Sequence, residues 1–184
     1  MATIKALLLL AVMAISAAMV TPAHDNYVKK KMGSEKYTHL RLYVHLAFSG
    51  VNATTVKVVQ GPTNKSLGFG DMLVADNPIT EDIDLSSKLI GREQGFTVGV
   101  SRDPDFSKTI FLLTINLAFT EGEHNGSTIT LSGRDTIFNV ERELPVLGGT
   151  GAFRLARGYS FWTIVSLNFT GNTTIEGDIH VFHY

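Results

Sequence analysis

From residue 39 onward, polar and apolar residues alternate with a period of two. His39-Leu40-Arg41-Leu42-Tyr43-Val44-His45-Leu46 puts every even position on one face and polar or amphipathic residues on the other, as a half-buried strand does. The same reading predicts strands over 55–60, 69–76, 95–101, 109–120, 127–132, 135–141, 158–169 and 173–183. Turn-forming pairs separate many of them, among them Gly61-Pro62, Asp103-Pro104, Glu121-Gly122, Asn125-Gly126, Gly148-Gly149 and Gly171-Asn172. No long segment carries a 3.6-residue period, and only a short helical turn is predicted near 84–89. Closely spaced strands without a repeat or linker predict one all-β unit, a sandwich or a closed barrel. Closure has the advantage of leaving no open edge.

The first residues break the pattern. Lys5 precedes an uncharged apolar run from Ala6 to Val20, and Ser16-Ala17-Ala18 supplies small residues for cleavage near 18, with Thr21-Pro22-Ala23 offering a second choice near 23. Residues 1–23 therefore read as a secretory signal peptide. The run falls short of the ~20 apolar residues of a membrane span. Residues 24–36, with Lys29-Lys30-Lys31, read as a flexible, solvated leader, and 37–184 as the domain. Five sequons accompany the signal, at Asn52, Asn64, Asn125, Asn168 and Asn172. They predict a secreted, extracellular glycoprotein.

Composition removes several chemistries. The 184 residues carry 16 Lys and Arg against 17 Asp and Glu, a formal charge of −1, with no basic stripe to track a phosphate backbone. Nucleic acid is not an expected partner, and neither is a membrane. The absence of cysteine excludes disulfide scaffolds, thiolate nucleophiles and cysteine-held zinc or iron–sulfur centres. No G-x-S-x-G elbow, Walker A loop or H-E-x-x-H pair occurs, and Gly148-Gly149-Thr150-Gly151 lacks the lysine of a phosphate loop. By their spacing, the histidines form no metal site. His39 and His45 share a face too far apart, and His180 and His183 point to opposite faces.

Two charged positions have interior parity. Ile129 and Leu131 extend to Asp135 and Ile137, while Tyr159, Phe161, Val165, Leu167 and Phe169 share a face with Arg157. A charge buried in a core needs a partner. Parity leaves two readings open: both groups face inward, or both flip outward at strand ends through a bulge.

The run Gly148-Gly149-Thr150-Gly151-Ala152-Phe153-Arg154-Leu155-Ala156-Arg157-Gly158-Tyr159 resembles the plant dirigent proteins. Gly91-Arg92-Glu93-Gln94-Gly95 is similar to that family's G-R-A-Q-G, and Asp76-Asn77-Pro78-Ile79-Thr80 to its D-D-P-x-T. Ala118-Phe119-Thr120-Glu121-Gly122, Asn125-Gly126-Ser127 and the ending Val181-Phe182-His183-Tyr184 are also family-like. The missing cysteines and this ending look most like the branch with pterocarpan-forming members.

The resemblance implies an eight-stranded antiparallel β-barrel, secreted into the apoplast, glycosylated and assembled as a homotrimer or homodimer. It implies no metal and no organic cofactor. Its implied ligand is a phenolic small molecule or phenoxy radical, supplied by a separate oxidase, a laccase or peroxidase. The implied task is stereoselective coupling of monolignol radicals into lignans, without oxidising activity of its own. Two alternatives accompany it: a pterocarpan-synthase-like dehydratase or cyclase working through a quinone methide, and a phenolic-binding defence protein.

By position, the resemblance implies that Asp135 and Arg157 are the polar groups of the cavity, with Leu42, Val44, Leu46, Tyr159 and Phe161 as its substrate-binding wall. One departure stands out. Where the family commonly reads F-H-D-I, with the Asp as a proposed acid, this chain reads Val44-His45-Leu46-Ala47. Leu46 can pack a ring but cannot move a proton. His45, on the opposite face, is not expected to replace it.

Overall fold

The computed structural model describes residues 34–62, 67–136, 139–168 and 172–184; the proposed signal peptide, residues 24–33 of the leader, and Asn64 lie outside them. The chain divides into residues 1–34 and 35–184, and the second unit holds the fold. It is all-β: β1 (Lys36–Leu46), β2 (Thr55–Val59), β3 (Met72–Thr80), β4 (Leu89–Gly99), β5 (Phe111–Phe119), β6 (Thr128–Asp135), β7 (Glu141–Thr150), β8 (Arg157–Leu167) and β9 (Thr173–His183). Two single 3₁₀ turns, Phe106–Lys108 and Gly151–Phe153, complete it. The helical turn expected near 84–89 does not form. Asp84 instead closes a tight turn, its carboxylate accepting from the Ser86 amide and hydroxyl, both at 2.8 Å.

Every strand pairs antiparallel with its neighbours in the order β1-β9-β8-β7-β6-β5-β4-β3-β2, and β1 returns to β3 through Tyr43↔Thr80 and Val44↔Ile79. That last pairing shuts the sheet into an eight-stranded barrel. β2 shares the same edge of β3 further along, at Thr55↔Ala75 and Val56↔Val74. β1 and β2 therefore act as one barrel strand interrupted by the excursion at 47–54, which is pinned where Ala47 O accepts from the Thr54 and Thr55 amides. Closure satisfies the backbone groups that an open edge would leave to solvent or to another chain.

The alternation sorts side chains. Leu42, Leu117, Ile129, Leu131, Ile179 and Val181 are all at most 1% exposed and form one hydrocarbon core with Phe119 and Phe153. Much of this core lies toward the end of the barrel made by the C-terminal parts of β5 and β9 and the start of β6. The 3₁₀ turn Gly151–Phe153 plugs that end with Phe153.

Three strand expectations are corrected. In place of the strand expected over 135–141, β6 ends at Asp135 and β7 begins at Glu141. The stretch Gly148-Gly149 is not a turn but the end of β7, paired with Thr130 and Ile129. Gly149 is required there because a Cβ would sit 2.3 Å from Thr128 O and 2.8 Å from Phe153 Cβ. β8 faces the other way from its predicted parity. Ser160 and Trp162 are buried, while Tyr159 is 40% exposed and Phe161 half-buried. Trp162 fits inside because Gly177, directly opposite on β9, has no side chain; a Cβ would lie 2.8 Å from the indole. Its indole N–H donates to Ser160 Oγ at 2.8 Å, and that hydroxyl donates to Leu144 O at 3.0 Å. The polar edge of the largest side chain is thereby satisfied within the barrel wall.

Candidate active site

The end of the barrel opposite the Phe153 plug is not filled with hydrocarbon. The C-terminal parts of β1, β4 and β6 and the N-terminal parts of β5, β7 and β9 surround a cavity of about 90 Å³. Its apolar wall includes Val44, Leu46, Leu113, Ile115, Leu144 and Trp162, and its polar groups include Asn77, Glu93, Asp135 and Arg142. A cavity of ~150 Å³ holds a benzene. At about 90 Å³ this cavity is smaller than that.

Asp135 ends β6 with its parity intact from Ile129, so the expectation that it faces inward agrees with the placement. Its partner is Arg142, on the first turn of alternation in β7, where Arg142, Leu144 and Val146 point in and Glu141, Glu143 and Pro145 point out. Arg142 Nη1 donates to Asp135 Oδ2 at 3.2 Å, with both residues buried. Burial pushes the Asp135 carboxyl above its ordinary range, and the Arg142 charge and hydrogen bond pull it partway back. The pair is incompletely satisfied. Asp135 Oδ1 and Arg142 Nε and Nη2 are buried with no hydrogen-bond partner among the described residues. Such groups cost ~1–3 kcal/mol each, so a ligand oxygen and hydroxyl that meet them recover that cost.

Arg157, expected in the cavity, lies elsewhere. It starts β8 on the outer surface, its side chain 63% exposed, its Nη2 donating to Glu35 Oε1 at 2.6 Å and its guanidinium 5.3 Å from the centre of the Phe182 ring. The reversed facing of β8 causes this: interior places go to Ser160 and Trp162, so Arg157, Tyr159 and Phe161 turn outward together. Tyr159 and Phe161 pack on the exterior, with Tyr159 stacked on His180 at 4.8 Å between centroids. Of the remaining expected wall, Val44 and Leu46 line the cavity, whereas Leu42 belongs to the hydrocarbon core.

A second polar line reaches the cavity from β2. Thr55 donates its hydroxyl to Asn77 Oδ1 at 3.0 Å, and Asn77 Nδ2 donates to Glu93 Oε2 at 2.5 Å. Asn77 and Glu93 are direct cross-strand partners of β3 and β4, and both are buried. Burial drives the Glu93 carboxyl up to about 7, against the hydrogen bond from Asn77, with the Asp76 charge adding to the rise. Sequence reasoning passed over Glu93 and Arg142. Glu93 has a signal, because it stands where the resembled G-R-A-Q-G segment has alanine. Arg142 has one too, in the Arg142-Leu144-Val146 alternation.

His45 is buried on the outer face, as expected. Its Nε2 donates to Thr80 Oγ1 at 2.7 Å, and Thr174 Oγ1 lies 3.3 Å from Nδ1. Among the described residues, one set has metal-ligand chemistry: His39, Asp178 and His180, with donor atoms within 4.8 Å of one another. It lies on the outer face, where His39 and His180 oppose each other across β1 and β9. Tyr37 Oη sits 2.6 Å from His180 Nδ1. These residues could hold a divalent cation. Sequence spacing does not show this set, because His39 and His180 meet across two strands. Asn52, Asn125, Asn168 and Asn172 are all exposed outside the strands.

A family model described as dirigent-like protein matches residues 37–182. Dirigent protein 1 of Arabidopsis thaliana is 39% identical over 98% of this chain and 94% of its own length. Pterocarpan synthase 1 of Glycyrrhiza echinata is 38% identical, covering 82% of this chain and 80% of that protein. A solved pterocarpan synthase dirigent protein superposes with a TM-score of 0.76 at 37% identity, covering 85% of this chain and 95% of that one.

Proposed function

This chain belongs to the dirigent family, and on that footing we propose that it directs the stereochemistry of bond formation by phenol-derived intermediates held in the barrel mouth. The reaction is coupling of monolignol phenoxy radicals towards lignans. A separate one-electron oxidase, a laccase or peroxidase, makes the radicals, and this protein oxidises nothing. Radical combination has almost no intrinsic barrier, so the protein need only present chosen faces. A preference of ~2–3 kcal/mol between geometries already selects ~30–150-fold.

The observation that carries this reading is the unsatisfied Asp135–Arg142 pair in an apolar, open cavity. Arg142 Nε–H and Nη2–H suit a phenolic or quinone oxygen through charge-assisted hydrogen bonds, and Asp135 Oδ1 suits a hydroxyl. Val44, Leu46 and Trp162 give the ring apolar contact. The protein works in the apoplast after signal cleavage, as a glycosylated homo-oligomer.

A second reading has its own support. Two relatives whose names state a reaction are pterocarpan synthases, and the cavity holds two carboxyls that burial pushes up. A pterocarpan-type closure loses water from an alcohol, and the resulting quinone methide takes an internal hydroxyl at carbon, with no net oxidation.

Purified protein incubated with coniferyl alcohol and a laccase, followed by chiral chromatography, tests the first reading. Enantiomeric excess that needs both proteins is the expected result, and a racemate overturns it. Turnover of a 2′-hydroxyisoflavanol without any oxidase would establish the second reading instead.

A further inference from the structure

Glu93 is the carboxyl of the cavity for which binding alone gives no role. We propose that Glu93 is the proton-transferring group of this cavity, acting on the oxygen of a bound phenol or quinone methide in place of the acid that position 46 lacks. The inference rests on the preceding reading that the cavity takes a phenol-derived ligand.

Its geometry suits the task. Among the described residues Asn77 is the one hydrogen-bond partner of the Glu93 side chain, and it fixes Oε2. Among the described residues Oε1 has no hydrogen-bond partner, and Glu93 lines the cavity. A carboxylic acid in this setting accepts from Asn77 through one oxygen and presents its O–H from the other. Three departures from the resembled segments meet in this one cavity: Leu46 in place of Asp, Asn77 in place of Asp, and Glu93 in place of Ala. Leu46 and Asn77 each stand where a carboxyl is missing, and Glu93 stands where one has been added. The added carboxyl faces Asn77 directly across the β3–β4 register.

The charged surroundings keep the acid usable near neutrality. On β3, Asp76 adds negative charge but is itself held by Arg92 at 2.7 Å. β6 and β7 contribute Asp135 and Arg142, already paired with each other. β1, β2 and β5 contribute Leu46, Thr55, Leu113 and Ile115, none of them titratable in this range. A carboxyl held at about 7 is split between donor and acceptor forms at the pH where it works best as either.

The step balances. The internal hydroxyl oxygen forms a C–O bond to the methide carbon, and the exocyclic C=C pair moves into the ring, making it aromatic. The Glu93 proton passes to the former carbonyl oxygen, while the hydroxyl proton leaves to solvent, from which Glu93 is reprotonated. Nothing is oxidised or reduced.

A bracing role for Glu93 would survive Glu93→Gln, because the new amide oxygen still accepts from Asn77; a proton-transfer role would not. The first readout is binding of coniferyl alcohol to the full chain by calorimetry at pH 7, in two buffers of different ionisation enthalpy. The wild type is expected to take up a fraction of a proton on binding and E93Q none; equal uptake overturns the inference. The second readout is the ratio of ring-closed to water-trapped product from coniferyl alcohol and laccase. A fall of at least tenfold in E93Q, recovered in E93A/L46D relative to E93A, is expected, and a ratio unchanged in E93Q overturns the inference. E93A carries the residue of the resembled segment and serves if E93Q does not fold. A racemic product from the wild type sinks the functional reading alone, and proton uptake then decides on Glu93.

Discussion

Arg142 Nη1 lies 3.2 Å from Asp135 Oδ2 in a pair that is buried on both sides, yet only one hydrogen bond joins them. Removing one partner strands the other charge. Arg142→Ala is expected to lower stability by ~3–5 kcal/mol, less whatever Asp135 recovers by taking up a proton. It should also abolish stereochemical control. Arg157→Ala removes an exposed ion pair and should cost at most ~1 kcal/mol, with product ratios unchanged. Urea denaturation and chiral chromatography of both variants check the contrast.

Glu93 links protonation to folding. Its folded value of about 7 stands above the ordinary 4.5, so the fold binds its proton more tightly than the unfolded chain does. The stabilisation this contributes is complete below pH 4.5 and is lost as pH rises through 7. About 2.5 pH units at ~1.36 kcal/mol each make that loss ~3 kcal/mol. Wild type measured against Glu93→Gln by thermal denaturation should therefore lose ground steadily between pH 4.5 and 7, then run parallel.

His45 acts in the opposite sense at the barrel seam. Thr80 Oγ1 donates to Asp82 O at 2.7 Å, so it can only accept from His45 Nε2, which fixes a neutral tautomer bridging β1 and β3. Burial holds this imidazole below its ordinary 6.5. Its contribution is complete above pH 6.5 and is lost as pH falls through the lower, folded value. Compared with His45→Gln, the wild type should lose stability on acidification below pH 6.5, read by denaturant midpoint.

A third buried charge ties down the loop before β3. Asp71 is fully buried, accepting from the Gly61 amide at 2.6 Å and Gln60 Nε2 at 3.1 Å, with Lys57 Nζ at 3.0 Å. These donors hold its carboxyl below the ordinary range in spite of burial. Asp71→Ala leaves the donors without an acceptor and should cost ~1–3 kcal/mol by chemical denaturation.

How much the residues announced depends on how cleanly each strand divides its two faces. β1 alternates Leu40, Leu42, Val44 and Leu46 against Arg41, Tyr43 and His45, so its facing was legible from residue types alone. β6 carried the same information to Asp135. β8 did not, because Tyr159 and Phe161 on one face and Trp162 and Ile164 on the other are both apolar. The space left by Gly177 on the neighbouring strand β9 decides between them. β7 looked broken by Pro145 and Gly148-Gly149, which hid Arg142 inside a strand. The mistaken Arg157 and the overlooked Arg142 are therefore two consequences of facing that tertiary packing, rather than local pattern, determines.

The central claim is that stereochemical control resides in the cavity beside Asp135 and Arg142. Ala75 lines that cavity, and Ala75→Leu fills it from β3 at a stability cost of ~1–3 kcal/mol. The decisive measurement is the enantiomer ratio of products from coniferyl alcohol and laccase with the wild type, Ala75→Leu and Arg157→Ala. The expected result is equal excess from the wild type and Arg157→Ala, and a racemate from folded Ala75→Leu. An undiminished excess from the filled cavity would contradict it.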